Sequence, residues 1–314
     1  MTVLEGISRD EWLAQRKTGL GGSDAAAALG LSPWTSPFEL WLDKTDQFDQ
    51  KPPSEAMEWG LRLEPAVREA FTEKTGLQVI TEPGILRHPD HPWMIASLDG
   101  WAARGERIVG VYEGKTASPW DDSWDPDIDR IPDHVTLQCQ HYLAVADQPV
   151  CHGAVLIGGS KFRTFEVRRD DRMIADLITA EERWWTTFVE GDTPPPIDGH
   201  PATTAAIRDM FPESADTEID LPPAAADVIE RWLRGKEAKK VAEADEDQAA
   251  NQLRILLGDN AIGRLAGRKA VTWKSHTQHR LNAAALRRDH PDLADSYTEE
   301  TTVRPLKLAR GFTL

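Results

Sequence analysis

Two acidic residues and a lysine follow one another in a spacing suited to metal-dependent phosphate chemistry. Asp99 ends one apolar run, and Glu113 and Lys115 lie two residues apart in the next. Side chains at i and i+2 of a strand point to the same face, so Glu113 and Lys115 should project together. Carboxylates are ligands that Mg²⁺ prefers, and a neighbouring ammonium can hold a water or take its proton. The pattern predicts a phosphodiesterase site, to which the Gly114 carbonyl would add a backbone ligand.

Residues on two predicted helices extend this site. Glu64 precedes Pro65 in an amphipathic segment and is the candidate for a further metal ligand. Gln138 and Tyr142 are four residues apart, and so share one helix face, from which they would orient the ligands or bind substrate. Each feature also has an ordinary interpretation: an exposed Glu–Lys pair, a surface glutamate and a packed tyrosine. The complete set D-x(13)-E-x-K with its flanking helices is more specific than any part.

A glycine-rich turn, Gly19-Leu-Gly-Gly-Ser-Asp24, leads into an alanine-rich helix. We expect Ser23 to cap this helix, since serine oxygens accept hydrogen bonds from the first backbone N–H groups. Those groups, with Arg16 or Lys17, could hold a phosphate. A glycine-rich turn before a helix is more often only a turn, so the signal is weak by itself.

The order of elements predicts an α/β fold with a mixed central sheet flanked by helices. A capping box at Ser8–Glu11 starts the first helix, and further helices, a strand meander, a helix, a hairpin and a helix follow. An acidic loop lies at 119–132, and the proline-rich linker after residue 191 marks a boundary at 198/199. Beyond it we expect a mainly helical extension over 199–314: a long helix or helical hairpin, a basic strand hairpin, a short helix over 281–297 and a final strand over 301–311.

Composition limits the function classes. The net charge of −16 argues against non-specific binding to a polyanion, so any DNA-binding surface must gather the basic residues, which are frequent from Arg264 to Arg310. A solvated, salt-bridged surface is an equally good interpretation of that basic stretch. Two cysteines, no apolar run of membrane-spanning length and a charged N-terminus predict a cytoplasmic protein without a membrane partner.

Five motifs resemble, in order, the YqaJ-like viral recombinase family, a group of phage lambda-type exonucleases of the PD-(D/E)XK nuclease superfamily. They are GLGGSDAAAALG, EWGLRLEP, SLDG, EGK and QCQHY. The resemblance is strong over about residues 8–160 and looser towards the C-terminus. It implies a PD-(D/E)XK restriction-endonuclease-like core over residues 1–198.

This resemblance implies an exonuclease that degrades one strand of linear double-stranded DNA from 5′ to 3′ with Mg²⁺, for which Mn²⁺ can substitute. The 3′ single strand would pass to a single-strand annealing protein in the cytoplasm of a phage's bacterial host. Members often form ring-shaped trimers. The implied roles are metal binding for Glu64, Asp99 and Glu113, positioning of the nucleophile for Lys115, 5′-phosphate binding for Arg16 and Ser23, and site lining for Gln138, Gln140 and Tyr142.

Two other functions are considered beside the exonuclease. A restriction- or repair-type endonuclease on the same core would also cut circular duplex, which an exonuclease leaves intact. A non-catalytic DNA-binding adaptor would have no reason to assemble the complete set of Glu64, Asp99, Glu113 and Lys115.

Overall fold

The computed structural model describes residues 9–47, 54–81, 84–124, 130–215, 217–310 and 312. Ser8 of the predicted capping box and residues 125–129 of the acidic loop lie outside this range. The chain divides into two compact units, Met1–Phe211 and Pro212–Leu314. The boundary at 198/199 stays a prediction about where the N-terminal core ends. None of the described helices is both long and apolar enough to cross a membrane.

The first unit alternates helices and strands. Its helices are α1 (Arg9–Arg16), α2 (Gly22–Ala28), α3 (Pro37–Lys44), α4 (Glu55–Thr75), α5 (Asp133–Ala146), α6 (Asp171–Trp184, continued by a π-helical turn, Trp185–Glu190) and α7 (Pro201–Met210). Its strands are β1 (Gln78–Ile80), β2 (Leu86–Arg87), β3 (Ile95–Ala96), β4 (Gly100–Arg104), β5 (Arg107–Ala117), β6 (Val150–Ile157) and β7 (Lys161–Arg168). A 3₁₀ turn spans Asp122–Trp124.

Local sequence explains several of these boundaries. Ser36 caps α3 by accepting from the Glu39 N–H at 3.1 Å, and Pro37 occupies the first turn, where a missing N–H costs nothing. Ser54 caps α4 in the same way, and Gly76 ends it with a φ of 71° that favours glycine. Pro65 lies inside α4, which continues through it.

Five strands form one mixed sheet in the order β1-β4-β5-β6-β7, whereas β2 and β3 pair separately. Of the described strand pairings in this sheet, only β5–β6 is parallel, with Glu113 opposite Gly153. A parallel pair needs a crossover, and α5 provides it. The predicted mixed sheet is confirmed, although β2 and β3 stand outside it.

Helices cover both faces of the sheet. On one face α5 packs over Val111, and Cys139 and Leu143 are fully buried in that core. On the other face Val67 and Phe71 of α4 pack against Tyr112. Alternate residues of β5 therefore contact different helices, as expected from the two-residue period of a strand.

The second unit contains α8 (Ala225–Leu257), β8 (Ile262–Leu265), β9 (Arg268–Thr272), α9 (Ala283–Asp289) and α10 (Pro291–Ser296). The long helical stretch is one helix, and the strand hairpin is confirmed. The short helix predicted over 281–297 is two helices, because Pro291 begins a new one. The predicted final strand was wrong: the described residues from 301 onward form no strand, and Pro305 lacks a backbone N–H for a ladder.

Candidate active site

The pairing of β4 with β5 brings two carboxylates together. Gly100 is opposite Tyr112, so Asp99, one residue earlier, comes level with Glu113. The Gly114 N–H donates to Asp99 Oδ2 at 2.8 Å and fixes that carboxylate. Burial and the nearby charge of Glu113 hold the pKa of Asp99 well above its usual value. Two acids thus share a largely buried site and repel each other when both are ionised.

Glu113, Lys115 and Gln138 form a hydrogen-bonded cluster on the α5 face of the sheet. Lys115 Nζ lies 2.7 Å from Glu113 Oε1 and donates to Gln138 Oε1 at 2.8 Å. Gln138 Nε2 donates to Glu113 Oε1 at 2.8 Å and to the Tyr142 hydroxyl at 3.0 Å. The prediction that Glu113 and Lys115 share a strand face, and that Gln138 and Tyr142 share a helix face, is confirmed.

Protonation states in this cluster follow from its charges. Burial alone lowers the pKa of Lys115, but the charge and hydrogen bond of Glu113 raise it overall, so Lys115 is an ammonium. Burial and the charges of Glu113 and Asp99 raise the pKa of Tyr142 well above its usual value. Tyr142 therefore keeps its hydroxyl proton, which it can donate because its oxygen already accepts from Gln138.

One atom of this cluster points to a cation. Glu113 is 2% exposed, and its Oε2 is buried without a hydrogen-bond partner among the described residues. A buried carboxylate oxygen without a partner is costly unless something else neutralises it. With Asp99 alongside, the donor set is two hard oxygen ligands, which fits Mg²⁺ because this ion keeps several waters.

Glu64 is not part of this cluster. Within the described chain, no three carboxylate, imidazole or thiol side chains converge as a metal-binding group. Glu64 lies on α4 and pairs with Arg68, one helical turn later, at 2.5 Å. It is still close enough for its charge to raise the pKa of Asp99. Metal binding by Glu64 stays a prediction, and Arg68 engages only its Oε1.

The glycine-rich turn packs directly against Tyr142. A Cβ on Gly22 would lie 2.4 Å from Tyr142 Cε1, so the contact requires glycine. The expectation that Ser23 caps α2 was wrong, because the cap residue is Gly21, whose N–H donates to the Asp24 carboxylate at 2.9 Å. Ser23 instead lies in the first turn of α2 and is exposed. Tyr142 thus lies between this turn and Gln138, which bonds to Glu113.

A buried ion pair holds Arg16 beside this turn. Lys44 Nζ contacts Asp24 Oδ2 at 2.6 Å and donates to the Arg16 carbonyl at 2.8 Å. Arg16 Nη2 lies 3.6 Å from Asp24 Oδ1 and donates to Ser23 Oγ at 3.2 Å. Burial by itself raises the pKa of Asp24, but Lys44 and Arg16 lower it overall. The Arg16 charge offsets part of the rise in the Tyr142 pKa that burial and the two carboxylates cause.

Gln140 faces away from the carboxylates. Its Nε2 donates to the Arg168 carbonyl at 2.7 Å, and its Oε1 accepts from the Asp170 N–H at 3.0 Å. These bonds fix the junction between β7 and α6, where Asp170 caps the helix. The structure does not bring Gln140 to the other predicted site residues, and its role in substrate binding stays a prediction without structural support.

Sequence reasoning missed two histidines of α5. His141 is fully buried and lies 3.0 Å from Glu181 through Nδ1 and 2.8 Å from the Ile95 carbonyl through Nε2. Burial alone lowers the pKa of His141, but the Glu181 charge raises it overall, so the two form a buried ion pair. No sequence spacing signals a partner 40 residues away.

The second histidine, His134, lies near Lys115. Burial and then the Lys115 charge lower the pKa of His134. Its ring meets the exposed Trp34 edge-on, with 4.7 Å between the ring centroids. The signal for this residue was its position four residues before Gln138, which puts both on one helix face.

Comparison with known proteins supplies the family. Residues 11–149 match the family model of the YqaJ-like viral recombinase domain. The uncharacterized protein YqaJ of Bacillus subtilis (strain 168) is 34% identical over 303 residues, which cover 95% of this chain and 93% of that protein. The chain belongs to the YqaJ-like viral recombinase family.

The fold is shared with a solved nuclease. LHK-Exo, solved in complex with dAMP, has a TM-score of 0.50 and 23% identity, over 59% of this chain and 94% of that chain. Another structure of LHK-Exo, described as an alkaline exonuclease from Laribacter hongkongensis, has a TM-score of 0.49 and 20% identity, over 64% of this chain and 97% of that chain. The predicted PD-(D/E)XK core with its mixed sheet and mainly helical C-terminal extension is confirmed.

Proposed function

We propose that this YqaJ family member is a Mg²⁺-dependent exonuclease that digests one strand of linear double-stranded DNA from 5′ to 3′. The observation that carries the proposal is the buried Glu113 Oε2 beside Asp99, which has no hydrogen-bond partner within the described residues. A structural protein has no reason to bury two repelling carboxylates with one oxygen unsatisfied, whereas a cation between them would remove both costs.

The residues that would hold the ion are Asp99 and Glu113, with the Gly114 carbonyl and Glu64 as further ligands. When bound, Mg²⁺ would acidify a water and neutralise charge on the phosphoryl oxygens, and Mn²⁺ could replace it. When both carboxylates are ionised, the metal-free site repels phosphate, because Asp99 and Glu113 then carry more negative charge than Lys115 offsets. Cation binding is thus a condition for substrate binding at this position.

Lys115 positions rather than deprotonates the attacking water. Its raised pKa keeps it an ammonium, which has no lone pair to accept a proton. Glu113 Oε1 and Gln138 Oε1 hold two of its three N–H donors, and the third can point to the water or to a phosphoryl oxygen. The Tyr142 hydroxyl supplies a second donor towards the substrate.

Arg16 and Ser23 are the proposed binding residues for the 5′-phosphate. Arg16 is about one-third exposed and pre-oriented by Asp24, and Ser23 offers its hydroxyl at the same place. An Arg–phosphate contact is charge-assisted and geometrically specific. A terminal phosphate held here would fix the end of one strand relative to the carboxylates, which is the basis for 5′ to 3′ polarity.

The proposal extends to a recombination role. The 3′ single strand left by digestion would be the substrate of a single-strand annealing protein in the bacterial cytoplasm. A ring-shaped trimer around the duplex would allow many cleavages per encounter. Both rest on membership of the family.

The test uses linear duplex with a 5′-phosphate, linear duplex with a 5′-hydroxyl, and closed circular duplex. We expect the wild type with Mg²⁺ to digest the phosphorylated linear DNA fastest, to spare the circle, and to stop in EDTA. Lys115→Ala should slow digestion by about 10²- to 10³-fold, which is the usual effect of losing one preorganised electrostatic donor. Lys161→Ala, which removes an exposed lysine of the same sheet, is the matched control.

Opposite outcomes are clear. Cleavage of the circle would replace the exonuclease with an endonuclease. Digestion in EDTA, or an unimpaired Lys115→Ala variant, would refute the mechanism. If the wild type digests no linear DNA, the non-catalytic DNA-binding adaptor is the function that remains.

A further inference from the structure

The β8–β9 hairpin lies in a run of the chain that contains no acidic residue. About one residue in six of this protein is Asp or Glu, yet none occurs over residues 260–288. The same run contains seven basic residues: Arg264, Arg268, Lys269, Lys274, Arg280, Arg287 and Arg288. All seven are exposed. In a chain of net charge −16, this run is a strongly positive exception.

Cross-strand pairing concentrates like charge within the hairpin. The register puts Arg264 opposite Lys269, so the two side chains project from the same face. Like charges directly opposite each other destabilise a strand pair. In the described part of the chain no carboxylate pairs with either side chain, and Arg264 donates only to the Gly267 carbonyl, at 2.9 Å. The repulsion would be relieved by an anion bound across the pair.

The hairpin is short and rigidly turned. Its two-residue turn, Ala266-Gly267, has positive φ at both positions, 48° and 79°, which matches the twist of a tight hairpin. Gly263 packs against Leu257, where a Cβ would lie 3.1 Å from Cδ2, so the hairpin rests on the end of α8. The remaining strand residues are almost all exposed. Two strands with so little buried surface are marginal without a partner.

An aromatic side chain completes the surface. The backbone N–H of Trp273 donates to the Ala261 carbonyl at 3.0 Å and thereby extends the strand pair. Trp273 itself remains half exposed. Basic side chains with an exposed aromatic ring are the combination that binds a nucleic-acid backbone and stacks on an unpaired base. An acidic protein or a peptide rich in carboxylates would satisfy the charges but would offer the ring no base to stack on.

We infer that the β8–β9 hairpin, with Arg264, Lys269 and Trp273 at its centre, is a binding surface for the phosphodiester backbone of DNA. The inference rests on the proposed DNA substrate. It adds a second binding surface, in the C-terminal unit, to the metal-dependent site in the first. It also explains how a protein of this net charge holds a polyanion: the basic residues that contact DNA are gathered where acidic residues are absent.

Binding of the full-length protein to fluorescent duplex and to single-stranded DNA, measured by anisotropy in EDTA over a range of salt, tests this surface without cleavage. The variant is Arg264→Gln/Lys269→Gln. The control is Arg231→Gln/Lys240→Gln, which removes two exposed charges from α8. On duplex, the hairpin variant should reduce the slope of log K against log salt by about two and weaken binding at least about tenfold at 0.1 M salt, whereas the control should match the wild type. Trp273→Leu should weaken single-strand binding about fivefold or more if an unpaired base stacks there.

A folding defect is separated by thermal unfolding, in which the hairpin variant should be at least as stable as the wild type because it loses a like-charge repulsion. Lys269→Arg, which keeps the charge, should bind as the wild type does. The inference fails if the hairpin variant keeps the wild-type slope, or if the wild type binds neither DNA. A wild type that binds DNA in EDTA through the hairpin but digests none with Mg²⁺ refutes the proposed exonuclease and keeps the surface. If the wild type digests linear DNA and the hairpin variant keeps the wild-type salt slope, the proposed exonuclease stands and the binding surface is refuted.

Discussion

Asp99→Asn is expected to stabilise the metal-free protein while abolishing its response to Mg²⁺. The amide oxygen of asparagine can still accept a hydrogen bond from the Gly114 N–H, which donates to Asp99 at 2.8 Å, so this hydrogen bond is retained. The substitution removes a largely buried charge and its repulsion from Glu113, which are the two largest causes of the raised Asp99 pKa. Single stabilising substitutions commonly gain about 0.5–2 kcal/mol, and we expect a gain of this size here.

The gain should depend on pH in a defined direction. Because the folded pKa of Asp99 lies above its unfolded value of about 3.9, the folded state binds the proton more tightly. Wild-type stability in EDTA therefore falls as the pH rises from the unfolded pKa through the folded pKa, and Asp99→Asn lacks this loss. The advantage of the variant should be absent in acid and largest at alkaline pH.

Mg²⁺ should reverse the order of stability. A ligand at 100 times its Kd stabilises the folded state by about 2.7 kcal/mol, which exceeds the expected gain of the variant. Urea denaturation at pH 8 measures the free energy of unfolding of the wild type and of Asp99→Asn, each in EDTA and at saturating Mg²⁺. A Glu166→Gln variant, which alters an exposed carboxylate of β7, controls for loss of a negative charge. If Asp99→Asn is less stable than the wild type in EDTA, or gains as much from Mg²⁺, the assignment of Asp99 as a destabilising metal ligand is wrong.

Three further predictions concern buried polar groups. Gln138→Leu removes three hydrogen bonds, two of them to charged groups, and should cost about 2–4 kcal/mol in denaturant unfolding and slow digestion; Gln140→Leu should also destabilise but leave the rate per folded molecule unchanged. His141→Gln should lower the free energy of unfolding most below about pH 6.5. The difference from the wild type should narrow as the pH rises through the raised His141 pKa, because the stability that comes from a raised folded pKa is lost in that direction. Equal losses of unfolding free energy at pH 6 and pH 9 would exclude the ion pair. Asp24→Asn leaves the buried Lys44 ammonium without a counter-charge and should cost about 3–5 kcal/mol, most of which Asp24→Asn/Lys44→Met should recover in thermal unfolding.

Local periodicity was enough to predict the centre of the site. The two-residue period of a strand placed Glu113 beside Lys115, and the four-residue spacing of a helix placed Gln138 beside Tyr142. Both pairs are in contact. These contacts depend on one element each, so the sequence alone determines them once the element type is right.

Contacts between distant elements were not predictable in this way. The Asp24–Lys44 pair joins residues 20 apart, and the close approach of Gly22 to Tyr142 joins α2 to α5. The cap of α2 was misplaced for the same reason: Asp24 is recruited by Lys44 and Gly21, which leaves Ser23 free of the role that its type favours. No propensity scale contains that competition. It is decided by packing.

The same distinction applies to Glu64 and Gln140. Both belong to motifs that pointed to the site, yet a motif fixes only which residues occur and not which way a helix turns them. Glu64 lies on the opposite face of the sheet from Gln138 and is paired with Arg68. Gln140 is two residues from Gln138, about 200° around an ideal helix, and so bonds to β7 and α6 instead.

The distribution of charge connects the two proposals. Asp99 and Glu113 are needed to hold a cation, and without it they repel the phosphate that they help to cleave. Lys115 offsets only part of this charge, because its single ammonium is paired with Glu113 at 2.7 Å and leaves the charge of Asp99 uncompensated. Affinity for DNA before metal binding must therefore come from basic side chains that pair with no carboxylate in the described part of the chain, such as Arg264 and Lys269 of the acid-free run over residues 260–288. If so, the hairpin variant should lose most of its affinity in EDTA and a smaller fraction with a divalent ion that supports binding without cleavage.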